Sequence, residues 1–555
     1  MQVRTPRRLK ESLLMLLGAS ALASGLVACQ GSQPQTQQPA ASGSAANAPA
    51  TEAEAQALAG QGAAAPSAEA QAACATLIGL KLKDTVITDA KIVAARGNIP
   101  EHCRVAGGIE QVILFEVGLP TKTWNGKFYY SGGGGYNGTV PSLNDGLSRN
   151  YASTGSDTGH RGEHWDASAL LNKPQVQVNY AHRGAHLTTV IAKEIVKAYY
   201  NKPQERSYFM GCSNGGKMGL MAVQRYPEDF DGVVAGGYVA DRTKLMLMFD
   251  WTQRALLGSE IPPRKIAAME KATLAACDAA DGLKDGLIDR PDRCTFDPAV
   301  LTCKGPDGND CLTPKQVEAW RKILDGPRDS KGKLLYPGYS PGHESDYPSY
   351  ITGTGIMHGY PSSNFMYMDS FMRWVAFNPG YDSVREFDYD RDPQKLTKFA
   401  EIHDAYDADL TKYSKHGGKL ILYNGWADHS TPPRRAVEYF EEVKKVHGAD
   451  TDKFVRAFLP PGLYHCNGGP GPNIFGARGQ TRAGDDPDND ILAALDQWVT
   501  KGRAPEKIVM TKYKNDDPTQ GVQRTRPTCA YPQVAKYKGS GSVDEAANFV
   551  CASLE

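Results

Sequence analysis

Along the chain, apolar and polar positions partly alternate from Val105 to Pro120, and Lys127 to Ser131 is a short apolar run; both predict strands. Gln175 to Tyr180 reads as a further strand and Ala185 to Tyr200 as an amphipathic helix. A Tyr- and Phe-rich run, Ser207 to Met210, predicts a strand, Gly216 to Arg225 a helix, and Val233 to Ala235 another strand. The rhythm then stops. From about Ala240 to Ala400 the chain is rich in aromatics, Met, Gly and Pro without a regular succession. It resumes with a buried-strand run at Lys419 to Tyr423, a helix over Pro433 to His447 and a strand over Phe454 to Leu459. Alternating strand and helix predict an α/β fold, a parallel sheet with helices on both faces. The interruption predicts a lid domain at 240–400, inserted between sheet-forming parts at 74–239 and 401–555.

A chain of 555 residues is too long for one compact core, in keeping with a large insertion. Lys plus Arg and Asp plus Glu number 62 each, so nothing in the charge balance points to nucleic acid as a partner. The N-terminus predicts export: Arg4, Arg7, Arg8 and Lys10 precede an apolar run, Leu13 to Val27, that is short for a membrane span. Leu26-Val27-Ala28-Cys29 resembles a bacterial lipobox. This predicts a signal peptide over 1–29 and a lipid anchor on Cys29 in the cell envelope, the only membrane attachment expected; an ordinary signal peptide cleaved nearby is the alternative. Residues 30–73, almost all Gln, Ala, Ser, Pro and Gly, read as a disordered tether. Apart from Cys29, ten of the eleven cysteines remain, an even number that suits disulfides in an exported chain. Proximity pairs Cys74 with Cys103, Cys277 with Cys294, Cys303 with Cys311, and Cys529 with Cys551, leaving Cys212 and Cys466 over.

Candidate chemistry begins at Gly211-Cys212-Ser213-Asn214-Gly215, a Gly-x-Ser-x-Gly pattern between a predicted strand and a predicted helix. Such a turn pushes the serine hydroxyl out to where a histidine can reach it; on this pattern alone, a glycine-rich loop with an incidental serine reads the same way. Asp428 follows the strand ending at Tyr423, and His465 follows the strand ending at Leu459. Ser213, Asp428 and His465, each past a strand end, have the chain order of the α/β-hydrolase class, so the expected fold is an α/β-hydrolase fold with a large inserted lid. His465 then takes the proton of Ser213, and Asp428 fixes the imidazole tautomer. A Cys212–Cys466 bond would hold Ser213 and His465 close before substrate arrives. Four glycines, Gly132 to Gly135, follow the strand ending at Ser131 without the Lys-Ser/Thr of a P-loop. They suit either a backbone N–H close to a developing oxyanion or a plain flexible loop.

On these residues the sequence resembles the tannases and feruloyl esterases, a family that includes a mono(2-hydroxyethyl) terephthalate hydrolase. The resemblance runs from about Cys74 to Cys551. It is carried by Gly211 to Gly216, by His465-Cys466-Asn-Gly-Gly469, and by Arg526-Pro-Thr-Cys529-Ala-Tyr-Pro followed by Tyr537-Lys-Gly-Ser-Gly541. It implies a disulfide between Cys212 and Cys466 and oxyanion donors at the N–H groups of Gly135 and Asn214. The implied activity is that of a serine carboxylesterase acting on esters of aromatic carboxylic acids through an acyl-serine. Hydrolysis of mono(2-hydroxyethyl) terephthalate is the alternative, and a catalytically silent surface-binding protein is the reading from another class.

Asp278-Ala-Ala-Asp281-Gly-Leu-Lys-Asp285-Gly-Leu-Ile-Asp289 lies between Cys277 and Cys294. Hard carboxylates at short spacing suit Ca²⁺, although the spacing is not that of an EF-hand and acidic turns are common on surfaces. The resemblance implies a structural calcium ion held by the side chains of Asp278, Asp281 and Asp285 and the carbonyls of Leu283 and Leu287, bracing the lid far from the bond-breaking. In the lid, Tyr360, Phe365, Tyr367, Phe371, Trp374 and Phe377 are mostly expected to pack the core, with one or two left to sandwich an aromatic acyl group. Aligned through Trp374, Phe365 falls where the terephthalate-ester enzyme has a carboxylate-gripping arginine. Arg373 is its substitute if it points inward and a surface arginine otherwise. The expected ligand is a small aromatic ester.

Overall fold

Residues 67–353, 361–480 and 486–553 are described in the structure, a computed structural model. The export signal, Cys29, most of the tether and Tyr360 lie outside them. The chain divides into two units, Met1–Gly62 and Ala63–Glu555, and the elements below belong to the second.

Its first helix, α1 (Ala68–Thr76), begins inside the segment expected to be a tether. Ser67 caps it by accepting from Ala70 N at 3.2 Å, and Cys74 bonds Cys103. Among the described residues nine strands form one sheet: β1 (Thr85–Val93), β2 (His102–Ile109), β3 (Ile113–Pro120), β4 (Lys127–Ser131), β5 (Ala152–Ser156), β6 (Arg206–Cys212), β7 (Gly232–Gly236), β8 (Lys419–Tyr423) and β9 (Val455–Phe458). Their order is β1-β2-β3-β5-β4-β6-β7-β8-β9. From β5 to β9 neighbours are parallel, as expected. The β1-β2-β3-β5 half is antiparallel, contrary to the expectation of a parallel sheet. Between β2 and β3 the cause is local: Glu110 and Gln111, both at positive φ, make a tight turn that can only reverse the chain.

Residues alternate across the parallel half. Phe128, Tyr130, Phe209, Val233, Leu420 and Leu422 face one cluster, with α2 (Gly184–Tyr200), α3 (Asn214–Arg225) and α4 (Pro433–His447). Tyr129, Tyr208, Met210, Val234, Ile421 and Tyr423 face the other, with α5 (Ile491–Lys501). Both faces are therefore covered, which is why β8 reads as an unbroken apolar run.

Gln175 to Tyr180 is not a strand. Pro174–Val178 is helical, with Pro174 at the first turn, and Asn179–Arg183 is a π-turn leading into α2. Gln177, Asn179 and Tyr180 are the buried members of the run and the valines are only half-buried, so its alternation does not mark an apolar face. Gln177 Nε2 donates to Leu170 O at 3.1 Å.

Between β7 and β8 the described chain is helical and looped, from Arg242–Leu256 to Thr411–His416. Here Leu245, Met248, Phe249, Trp320, Ile323 and Phe371 build a cluster of their own, which takes in Tyr136 and Tyr180 from the loops of the sheet. Five disulfides join the ten cysteines in the expected pairs, Cys212–Cys466 included, which suits an oxidising compartment. No helix among the described residues is long and apolar enough to cross a membrane.

Candidate active site

β6 ends at Cys212 and α3 begins at Asn214, which leaves Ser213 alone on the turn at φ 62°, ψ −126°. That conformation is costly for a residue with a Cβ and must be held from outside. Ser213 N donates to Gly236 O at 2.9 Å. A side chain at Gly211 would stand 2.5 Å from Gly215 O, so only glycine lets strand and helix close so tightly. The Cys212–Cys466 bond, with Cα atoms 5.9 Å apart across 254 positions of sequence, brings the neighbour of Ser213 against the neighbour of His465.

The loops after β8 and β9 run side by side. Trp426 N donates to Pro460 O at 3.0 Å and Ala427 N to Leu463 O at 3.2 Å. Gly425 lies so close to Leu463 O that a Cβ would stand 2.0 Å from it. This pairing sets Asp428 beside His465, with Nδ1 of the ring 2.8 Å from Asp428 Oδ2. The buried carboxylate is caged: Oδ1 accepts from Ser430 N (2.8 Å) and Thr431 N (2.7 Å), and Oδ2 from Thr431 Oγ1 (2.6 Å). Burial works against its charge, but the His465 imidazole and these hydrogen bonds hold its carboxyl below the usual value. Burial likewise opposes an imidazolium at His465, and Asp428 outweighs it, raising the imidazole above its ordinary value. With Nδ1–H given to Asp428, Nε2 is free to accept a proton.

Gly135 and Asn214 meet through a residue not singled out from sequence. Tyr180 Oη lies 2.9 Å from Gly135 O and 2.9 Å from Asn214 Oδ1, while Asn214 Nδ2 donates to Gly133 O at 3.2 Å. Two further residues were not picked out. The Tyr350 ring stands edge-on to His465, centroids 5.8 Å apart, and Asp346 is a second carboxyl near the pair, pushed up to about 7 by burial and by Asp428. Neither is close to the site in sequence, so no local pattern marks them.

In the lid helix Ser363–Phe371, Asn364 Nδ2 donates to His429 O at 2.9 Å, tying the helix to the Asp428 loop. Phe365 and Trp374 are partly buried against the lid cluster. Tyr367 Oη pairs with His164 Nδ1 at 2.8 Å, beside Gly135. Arg373 does not point at the site with a free head: its Nε donates to Asp369 Oδ1 at 2.8 Å and its side chain is 39% exposed.

The aspartate loop closes on itself. Asp278 Oδ1 accepts from Asp285 N and Gly286 N, both at 3.1 Å, and Asp281 accepts from Leu283 N at 3.0 Å and Asp289 N at 3.2 Å. Asp285 pairs with Arg526 and accepts from Leu287 N at 3.2 Å. Asp289 is buried, and its Oδ1 has no partner among the described residues. One tighter group of possible ligands, Cys303, Asp307 and Cys311, spends two sulfurs in a disulfide. Leu287 Cδ2 lies 2.8 Å from where a Gly462 side chain would start, and the Arg290 guanidinium is 5.9 Å from the Trp426 ring. The aspartate loop thus abuts the loops that carry His465 and Asp428.

A family profile described as tannase and feruloyl esterase matches residues 97–552. An uncharacterized esterase of Xanthomonas campestris is 36% identical over 525 residues, covering 86% of this chain and 91% of its own. The mono(2-hydroxyethyl) terephthalate hydrolase of Piscinibacter sakaiensis is 30% identical over 544 residues, covering 84% and 87%. The crystal structure of feruloyl esterase B from Aspergillus oryzae superposes with a TM-score of 0.77 at 26% identity, over 87% of this chain and 100% of that one.

Proposed function

Because the chain belongs to the tannase and feruloyl esterase family, we propose that this esterase is a serine carboxylesterase acting on esters of aromatic carboxylic acids. Ser213 Oγ attacks the ester carbonyl and passes its proton to His465 Nε2. The oxyanion accepts from the N–H groups of Gly135 and Asn214. Collapse expels the alcohol, which takes the proton back from His465, and a water deprotonated by the same imidazole then cleaves the acyl-serine. The observation that carries this reading is the His465 Nδ1 to Asp428 contact of 2.8 Å inside a buried hydrogen-bond cage, clasped by disulfide to the Ser213 turn.

Tyr350 at the His465 ring and Tyr367 at Gly135 supply aromatic walls for an acyl group. With Arg373 engaged by Asp369, a carboxylate on the acyl ring would be left without Arg373 as its counter-charge. A hydrolysis panel of feruloyl, galloyl and terephthaloyl monoesters tests this. The feruloyl or galloyl ester is expected to lead in kcat/KM over mono(2-hydroxyethyl) terephthalate by about 10-fold or more. Comparable turnover of the terephthalate ester overturns the preference.

Calcium belongs to the same proposal. The hard oxygens of Asp278, Asp281 and Asp285 and the carbonyls of Leu283 and Leu287 suit it. Asp289 Oδ1, buried without a hydrogen-bond partner among the described residues, is a further oxygen beside this ligand set that the loop leaves unused. Burial, with Asp281 and Asp285 alongside, pushes Asp289 up to about 7. Metal analysis of protein exchanged into metal-free buffer is expected to return one calcium per chain. Chelation is expected to lower Tm by about 3 °C. Zero calcium with unchanged melting removes the ion from the picture.

A further inference from the structure

We propose that Tyr180 is a positioning residue that sets the spacing of the two oxyanion donors, the N–H groups of Gly135 and Asn214; the inference rests on the serine-esterase reading above. Its hydroxyl has one proton to share between two acceptors, Gly135 O and Asn214 Oδ1, each at 2.9 Å. The Asn214 amide holds Gly133 O with its other end, at 3.2 Å. The carbonyls of Gly133 and Gly135, on either side of the Gly135 N–H, are thus both tied to one side chain, directly or through the tyrosine. That side chain belongs to the residue carrying the second donor. The glycine loop and the serine turn, more than 70 positions apart in sequence, become one unit at this hydroxyl.

Two features hold the ring in place. Tyr180 is 1% exposed and sits in the π-turn Asn179–Arg183, a rare conformation frequent at functional sites. Lys217, buried one turn past Ser213 on α3, stands with Nζ 4.5 Å from the Tyr180 ring centroid and has no hydrogen-bond acceptor among the described residues. Beside it the Arg242 guanidinium lies 4.6 Å over the ring of Tyr136, whose centroid is 5.9 Å from that of Tyr180. The hydroxyl is therefore aimed by packing on the ring and acts only through the groups it binds. A donor that drifts by an ångström serves the oxyanion poorly while leaving ground-state substrate contacts nearly intact.

Tyr180→Phe deletes the hydroxyl and keeps the stack. On an aryl ester, kcat is expected to fall about 10- to 100-fold with KM within about 3-fold. The affinity of an aryl boronic acid, which forms a tetrahedral adduct on the serine, is expected to fall by a similar factor. Asn214→Ala keeps its backbone N–H and is expected to lose as much, with the double variant no worse than the worse single. A Tyr180→Phe kcat within 2-fold of wild type, an unchanged boronate affinity, or additive losses in the double variant overturns the tie. A lowered Tm with unchanged kcat overturns it too, leaving a purely structural residue; should Tyr180→Phe fail to fold, Asn214→Ala alone still decides. Wild-type protein without ester hydrolysis sinks the serine-esterase reading itself, and the tie with it.

Discussion

Ser213→Ala is expected to lower kcat on an aryl ester by roughly a million-fold, and Asp428→Asn by roughly ten-thousand-fold, with the fold of both variants retained. The first removes the only atom that can carry the acyl group. The second acts through the imidazole. Asp428 Oδ2 accepts from Thr431 Oγ1 and faces His465 Nδ1, so a carboxamide there presents either a weaker acceptor or an N–H to the ring. In the latter case Nδ1 becomes the acceptor and the proton moves to Nε2, where it cannot receive another from serine. Steady-state kinetics and thermal melting of the same preparations check both. Ser213→Ala retaining more than about a hundredth of wild-type activity removes the triad assignment. Wild-type protein silent on a broad ester panel favours a surface-binding protein that keeps the fold.

Removing the active-site disulfide is the second large effect. In the chain-entropy account, opening a ring closed across 254 positions costs about 5 kcal/mol of stability. A Cys212→Ala, Cys466→Ala variant is therefore expected to melt about 5 °C or more below wild type. It is also expected to lose kcat about 10-fold or more at temperatures where it remains folded, because the His465 loop is no longer clasped to the serine turn. Removing Cys303 and Cys311 instead opens a ring of 8 positions in the lid and is expected to leave kcat unchanged. Lower melting with full activity below it would assign the bond to the fold alone.

Legibility followed burial. Lys419–Tyr423 and Lys127–Ser131 match their apolar runs end to end, because both faces of the parallel strands are covered. Ala152–Ser156 is wholly buried yet composed of Ala, Ser, Thr and Gly, so it carries no hydrophobic signal and escapes notice. Gln175 to Tyr180 misleads for the opposite reason: its alternation exists, but Gln177 and Asn179 are buried while Val176 and Val178 are only half-buried. That Ser213, Asp428 and His465 each sit past a strand end was readable from the apolar runs before them, and the cysteine pairs were readable because proximity left one pair over. Tyr180, Tyr350 and Asp346 were not, since their relation to the site exists only once distant loops have met. Arg373 shows the converse: its place in the chain suggested a carboxylate grip, and a one-turn pairing with Asp369 takes it up.

The clasp between Cys212 and Cys466 also bears on how such a protein can change. Every lid residue from 240 to 400 lies inside the covalent ring it closes, while the serine turn and the histidine loop sit at the join. Lengthening, shortening or exchanging the lid alters the circumference of the ring without moving the two sides of the join apart. Doubling that circumference would cost only about 0.6 kcal/mol of closure entropy. A surface built from this insertion is thus free to drift through insertions and deletions while Ser213 and His465 keep their registration.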